Sequence, residues 1–317
     1  MPFSHPYPFD PSYGFSLDQL LRVEPPDPPG DFAEFWSARY DNTRNLAPRP
    51  ELRRCGWNHP RFQAFDLTYC STGPVSIGGW ALVPAHGRIR RGFVVGHGYG
   101  GRSGPDLDLP FDDAAILFPC FRGLSRSRCA GIPETPDRHV LCGIEDRNRY
   151  VLGGCVEDVW LAVSALLELF PEAEGRVGYL GFSFGGGIGA LSLPWEPRVQ
   201  RAHLNVPTFG HQPLRLTLPT VGSGEPIRRH QSLHGNVMAI LAYYDAAIAA
   251  RFTGIPVHVA AALFDPAVAP PGQFAIFNAL AGPRELFVLD AGHFDYPRKQ
   301  EQDRSLSAAV AAFFEPL

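Results

Sequence analysis

A mostly parallel, doubly wound α/β sheet with helices on both faces is predicted by three features of the sequence. Short, almost wholly apolar runs recur at Gly92–His97, Ala114–Phe118 and Pro256–Leu263, as expected of strands buried on both faces. Between such runs lie stretches with helical spacing. The clearest is Val156 to Phe170, where Val156, Val159, Trp160, Val163, Leu166, Leu167 and Phe170 share one side. The third feature is a strand-like run, Arg176 to Phe182, that passes into an apolar helix from Ile188 through Gly181-Phe182-Ser183-Phe184-Gly185. Strands alternating with helices point to parallel βαβ units.

Taken in order, residues 1–61 form an N-terminal arm. Phe15–Leu21 reads as one amphipathic turn, Pro25-Pro26-Asp27-Pro28-Pro29-Gly30 breaks it, and a helix runs from Asp31 to about Leu46. Phe65–Cys70 and Ile77–Pro84 alternate like an antiparallel pair, with Ser71-Thr72-Gly73-Pro74 as the turn. Residues 121–150 are a long excursion rich in Arg, Gly, Asp and Pro. Beyond the strand Val199–Val206, residues 207–250 leave the alternation and read as a cap-like insertion over the strand ends. It has a Pro/Gly-rich start, a basic patch at Arg228-Arg229-His230 and a helical end from about Gly235. A helix near Pro271–Leu280, a strand Glu285–Leu289 and a helix Gln302–Phe314 complete the pattern. No long flexible linker interrupts it, so a single domain over 1–317 is expected.

Composition narrows the function. Apolar residues at 45% and charged residues at 19% suit a globular chain with a sizeable core. A net charge of −4 without a basic run argues against a nucleic-acid partner. No apolar stretch approaches bilayer length, so no membrane association is expected. The first thirty residues lack a charged start followed by an apolar run, and a cytoplasmic location is expected. Six cysteines occur without C-x-x-C or zinc-ligand spacing, which predicts buried thiols in a reducing compartment and no metal.

Gly181-x-Ser183-x-Gly185 is the pattern of a tight strand-to-helix turn that lifts a serine hydroxyl above a sheet. Such a nucleophile needs an imidazole to take its proton and a carboxylate to fix the imidazole's tautomer. Downstream, Asp265 follows the strand 256–263 and His293 follows the strand 285–289, in the chain order Ser, Asp, His. Asp290 and Asp295 are rival acids, but each lies too close to His293 in sequence to orient it from another strand. Oxyanion donors are assigned to the main-chain N–H groups of Phe184 and of Tyr99, in the glycine-rich loop His97-Gly98-Tyr99-Gly100-Gly101. His97 is read as a structural histidine beneath that loop.

With these residues the chain resembles the acetyl xylan esterase / cephalosporin-C deacetylase group, carbohydrate esterase family seven, of the α/β-hydrolase superfamily. The resemblance runs over almost the whole length. It includes Phe15-Ser16-Leu17, Asp31-Phe32 with Phe35-Trp36, His97–Gly101, Arg122-Gly123, Tyr150, Gly181–Gly187 and Val206-Pro207. It continues through Tyr243–Asp245, Asp265 with Pro270-Pro271, Ala281–Pro283 and His293. It implies Ser183, Asp265 and His293 as a triad and the Tyr99 and Phe184 N–H groups as the oxyanion hole. It further implies removal of acetyl groups from short xylo-oligosaccharides and other small acetylated molecules, with no cofactor, and a homo-oligomer, often a hexameric ring. Four positions depart from the family pattern. Leu124 replaces the Gln of Arg-Gly-Gln, Phe294 the Glu of His-Glu, Phe184 a Gln after the serine, and Cys120 an Asp before the Arg. Arg122, Leu124, Pro207 and Phe294 are the substrate-pocket candidates, and their apolar bias leaves open an esterase, lactonase or acyltransferase acting on a less polar ester. A non-catalytic relative of the fold is the remaining alternative.

Overall fold

The computed structural model describes residues 3–317. Nine strands form one sheet: β1 (Glu51–Asn58), β2 (Phe62–Cys70), β3 (Ser76–Pro84), β4 (Arg91–Gly96), β5 (Ala114–Pro119), β6 (Val177–Phe182), β7 (Val199–Asn205), β8 (Val257–Ala262) and β9 (Arg284–Leu289). Their order across the sheet is β1-β2-β3-β5-β4-β6-β7-β8-β9. β1, β2, β3 and β5 pair antiparallel in succession, and every pairing from β5 through β4 to β9 is parallel. The chain winds outward in both directions from β4, so a crevice opens beyond its carboxyl end. Register sets the strand ends level there, with Gly96 opposite Gly181, Phe182 opposite Asn205, and Ala262 opposite Leu289.

Period-two alternation divides the apolar side chains between the two faces. Val94, Leu117 and Tyr179 point into the larger core, against the helices Phe32–Arg44, Val151–Leu169 and Phe184–Ser192. Phe93, Val95, Ile116, Phe118 and Leu180 point into the second, which the C-terminal helix Lys299–Phe314 covers. Phe264, Ala291 and Tyr296 form a small third cluster under the loops that follow β8 and β9.

Four features differ from the sequence expectation. β1 extends the sheet inside the supposed arm; its Glu51, Arg53 and Arg54 charges suit an edge strand but hide the alternation. The long helix begins at Val151 rather than 156, through Gly153 and Gly154, which are poor helix formers. Packing overrides that preference: a Cβ on Gly154 would stand 2.2 Å from the Arg122 guanidinium, and one on Gly153 2.6 Å from that of Arg39. The β4–β5 crossover contains no helix, Pro105 and Pro110 being hostile to one. In 207–250, a helix already spans Gly224–His234 and ends at Gly235 (φ 65°). Its Arg228 and Arg229 are paired with Glu225 and form no free basic patch.

Arg122 and Leu124, expected in the substrate pocket, are buried elsewhere. Arg122 Nη2 lies 2.7 Å from Asp158 Oδ1, its Nε 3.1 Å from Oδ2, and its main-chain N–H donates to Oδ2 at 3.0 Å. Ser71 and Thr72 hydroxyls accept from Nη2 at 3.0 and 2.9 Å. Burial alone would loosen the guanidinium's proton, but Asp158 more than offsets this and raises the pKa. Leu124 is 2% exposed and belongs to the main core. Arg122 thus spends its Nε and Nη2 on Asp158, Ser71 and Thr72, and it lines neither of the two cavities that flank Phe182. Arg122→Met should therefore strand the Asp158 carboxylate and cost roughly 3–5 kcal/mol in urea unfolding. A variant with wild-type stability and a raised KM would restore Arg122 to the pocket.

Candidate active site

The turn after β6 is built on the absence of side chains. A Cβ on Gly181 would stand 2.4 Å from the Gly185 carbonyl oxygen, and one on Gly185 2.5 Å from the Gly96 backbone. Only glycine lets β4, β6 and the helix Phe184–Ser192 approach this closely. Ser183, between them, has φ 52° and ψ −106°, a conformation that costs a non-glycine residue about 1–3 kcal/mol. Its neighbours hold it there. The Ser183 N–H donates to the Asn205 carbonyl at 2.8 Å, and its own carbonyl accepts from Gly187 and Thr208 at 3.0 and 3.2 Å.

Three side chains far apart in sequence meet at this rim. His293 Nε2 lies 2.9 Å from Ser183 Oγ, and His293 Nδ1 lies 2.8 Å from Asp265 Oδ2. An ionised carboxylate only accepts, so the neutral imidazole carries its proton on Nδ1 and turns the Nε2 lone pair toward the hydroxyl. Asp265 is fully buried yet satisfied. Its Oδ1 accepts from the Ala267 and Val268 N–H groups, both at 2.9 Å, and its Oδ2 also accepts from Gln273 Nε2 at 3.0 Å. Burial pulls the His293 pKa down, but the charge and hydrogen bond of Asp265 outweigh it and leave the pKa above its ordinary value. Asp290 and Asp295 take no part in this chain of contacts; Asp290 faces Arg298 at 3.5 Å.

The loop after β4 lies against the serine. A Cβ on Gly98 would be 3.1 Å from the Phe182 ring and 3.8 Å from Ser183 Cβ. The Tyr99 and Phe184 rings stack with centroids 4.0 Å apart. The Tyr99 hydroxyl donates to His139 Nδ1 at 3.2 Å, and His139 Nε2 donates to the Arg122 carbonyl at 2.9 Å. Among the described residues, neither the Tyr99 nor the Phe184 main-chain N–H donates to a backbone carbonyl. His97 is committed at both nitrogens: Nε2 accepts from the Phe121 N–H at 3.0 Å, and Nδ1 donates to the Gly98 carbonyl at 2.6 Å. Burial, with Arg102 adding to it, pushes its pKa down to about 3, so it is a neutral strut.

Two cavities flank Phe182, which is 45% exposed. The larger, about 470 Å³, runs along Leu109, Pro110, Leu306 and Val310, where the helix-free β4–β5 crossover leaves the sheet uncovered. The smaller, about 330 Å³, is lined by His293 and Phe294. Phe182 and Asn205 belong to both. The Phe182 ring lies against that of His293 at 5.4 Å. Of the pocket candidates, Phe294 lines the smaller of these two cavities and the other three line neither. Pro207 is buried, its Cα 3.0 Å from where a Cβ on Gly186 would sit, and seats the helix start. Sequence reasoning missed Gln273, His139 and Asp158, whose partners are reached only through the fold. It also passed over Phe182, although a bulky ring immediately before the serine was a legible signal. Among the described residues no cluster of three His, Cys, Asp or Glu side chains is arranged to hold a metal.

The Acetyl xylan esterase (AXE1) family matches residues 12–309. The acetyl xylan esterase from Paenibacillus sp. R4 superposes with a TM-score of 0.83 at 21% identity, over 93% of this chain and 99% of that one. Acetyl Xylan Esterase 1 from Thermoanaerobacterium sp. JW/SL YS485 gives 0.81 at 21% identity, over 95% and 99%. An acylaminoacyl peptidase from Pyrococcus horikoshii matches at 0.63 and 13% identity, over 80% of this chain and 41% of its own. At these identities the structures show a common α/β-hydrolase fold, while the family match spans nearly the whole sequence. The chain belongs to the acetyl xylan esterase (AXE1) family of ester hydrolases.

Proposed function

We propose that this protein hydrolyses the acetyl esters of small molecules, with Ser183 as nucleophile, His293 as base and Asp265 as its orienting carboxylate. Short acetylated xylo-oligosaccharides and cephalosporin-C-like acetates are the substrate types we favour. The observation that carries the reading is the unbroken Oγ–Nε2 and Nδ1–Oδ2 contact chain at 2.9 and 2.8 Å. His293 takes the Ser183 proton as Oγ attacks the ester carbonyl, and the Tyr99 and Phe184 N–H groups receive the oxyanion. Asp265 stabilises the imidazolium, which then protonates the departing alcohol. Water, deprotonated by His293, cleaves the acetyl-serine and releases acetate. No step requires a cofactor. Beyond the site, we read the chain as one domain with residues 207–250 as its cap, cytoplasmic, and assembled as a homo-oligomer.

The apolar walls beside Phe182 and Phe294 favour a second reading, in which the alcohol half of the ester is greasier than a sugar. Phe182 touches the His293 ring, and His293 must reach the leaving oxygen, so the alcohol has to pass Phe182 in either reading.

Ser183→Ala should lower p-nitrophenyl acetate turnover by about 10⁴- to 10⁶-fold with the fold intact by circular dichroism. Turnover equal to the parent's would remove Ser183 from the mechanism. Because the base must be neutral and its pKa is raised, activity should fall as pH drops through a midpoint above ~6.5. In Asp265→Asn that limb should move to lower pH while kcat falls by roughly 10⁴; a limb that stays in place would mean Asp265 does not set the His293 pKa. In Phe182→Ala, kcat/KM should fall about tenfold for naphthyl acetate relative to methyl acetate, the loss expected when one apolar contact disappears. An unchanged ratio would take the alcohol away from Phe182.

A further inference from the structure

The loops bearing Asp265 and His293 meet the second core at Gly292, where an added Cβ would stand 3.0 Å from Val206 and 3.1 Å from Ala262, and are tied to the helix Pro270–Ala279 through Gln273. They rest on the satellite cluster of Phe264, Ala291 and Tyr296, whose Phe264 and the neighbouring Phe294 directly adjoin Asp265 and His293 in sequence. That cluster is closed by the start of the chain. Phe3 meets Phe264 edge-on at 5.2 Å, Phe294 at 5.7 Å and Tyr296 at 5.8 Å. His5 lies 5.4 Å from Phe264, and Tyr7 lies 6.3 Å from Phe294. Farther along, the Pro11 carbonyl accepts the Asp265 main-chain N–H at 3.0 Å.

The sequence of this segment explains its shape. Phe3, His5, Tyr7 and Phe9 alternate with Ser4, Pro6, Pro8 and Asp10, and burial follows: the first three rings are half-buried while Ser4, Pro6 and Pro8 are exposed. An extended chain puts every second residue on one side, and the prolines hold it extended without ladder hydrogen bonds. Little conformational freedom remains to be lost when the rings dock. Tyr7 and Phe9 continue the row with ring planes 27° apart, and Phe9 and Tyr13 with planes 21° apart. Phe3 to Phe9 precede residue 12, where the family match begins, so this brace is a feature of the chain rather than of the matched pattern.

We propose that the aromatic segment Phe3–Phe9 is a positioning element for the reaction, clamping the two loops so that His293 stays in line between Ser183 and Asp265. It rests on the triad reading above. The imidazole is held by two contacts, of 2.8 and 2.9 Å, and its own backbone sits at φ 47°, a conformation that surrounding packing must maintain. Small displacements of a catalytic group lower the rate steeply while leaving the ground-state complex alone. Phe3 acts through Phe264 and Phe294 and touches no reacting atom.

The test compares Phe3→Ala and Phe3→Leu with the parent and with Ser183→Ala, all as full chains. For p-nitrophenyl acetate, Phe3→Ala should lose about ten- to a hundredfold in kcat with KM within about twofold. Labelling by a fluorophosphonate should slow in parallel, and Phe3→Leu, which refills the cluster, should recover most of both rates. Tyr7→Ala, which loses the Phe294 edge and the stacking on His5 and Phe9 but leaves Phe3 in place, should show the same pattern more weakly, and it serves if Phe3→Ala does not fold. A lower melting temperature with parental kcat would make the segment a stabiliser and overturn the proposal. So would a rise in KM alone, the mark of a substrate platform. Parental turnover that survives Ser183→Ala would instead overturn the triad reading and the segment's role with it.

Discussion

The site depends on a place where three backbones touch with no side chain between them. Gly96 at the end of β4, Gly181 in β6 and Gly185 in the following helix approach so closely that a single methyl group at either of the last two would force them apart. Steric exclusion there fixes the conformation of Ser183, and the strain of that conformation is offset by packing around it. The same contact ties the loop after β4 to the helix start, through the Gly185 N–H and the His97 carbonyl at 2.9 Å. The Ser183 turn and the loop carrying Tyr99 thus share one joint.

Around the joint, most polar side chains are fully occupied by neighbours. His97 and His139 spend both ring nitrogens on neighbours and serve as fixed spacers. Asp265 accepts four hydrogen bonds while buried, so neither of its oxygens is left without a donor. His293 turns its Nε2 lone pair toward the Ser183 hydroxyl. Its basicity is a balance in which the carboxylate outweighs the apolar surroundings.

The parallel strands, the serine turn and the order Ser183, Asp265, His293 were legible in the sequence because each is written locally. A buried parallel strand is a short apolar run, a tight turn demands glycine, and strand ends are where a parallel sheet gathers residues. What escaped is decided at a distance. β1 reads as charged because an edge strand needs only one partner, and Gly153 and Gly154 read as helix breakers until the guanidinium groups they admit are known. Arg122 and Leu124 were placed in the pocket by resemblance, yet backbone direction turns one into an ion pair and the other into the core. Gln273 left no mark because a helical Gln eight residues beyond Asp265 acquires meaning only once the helix Pro270–Ala279 folds back.

The Arg122–Asp158 pair has a kinetic corollary. It joins the wall carrying Tyr99 and His139 to the long central helix through charges that would have to part without water between them. Parting that pair would leave the buried Asp158 carboxylate uncompensated, so the attachment resists displacement of the segment it holds.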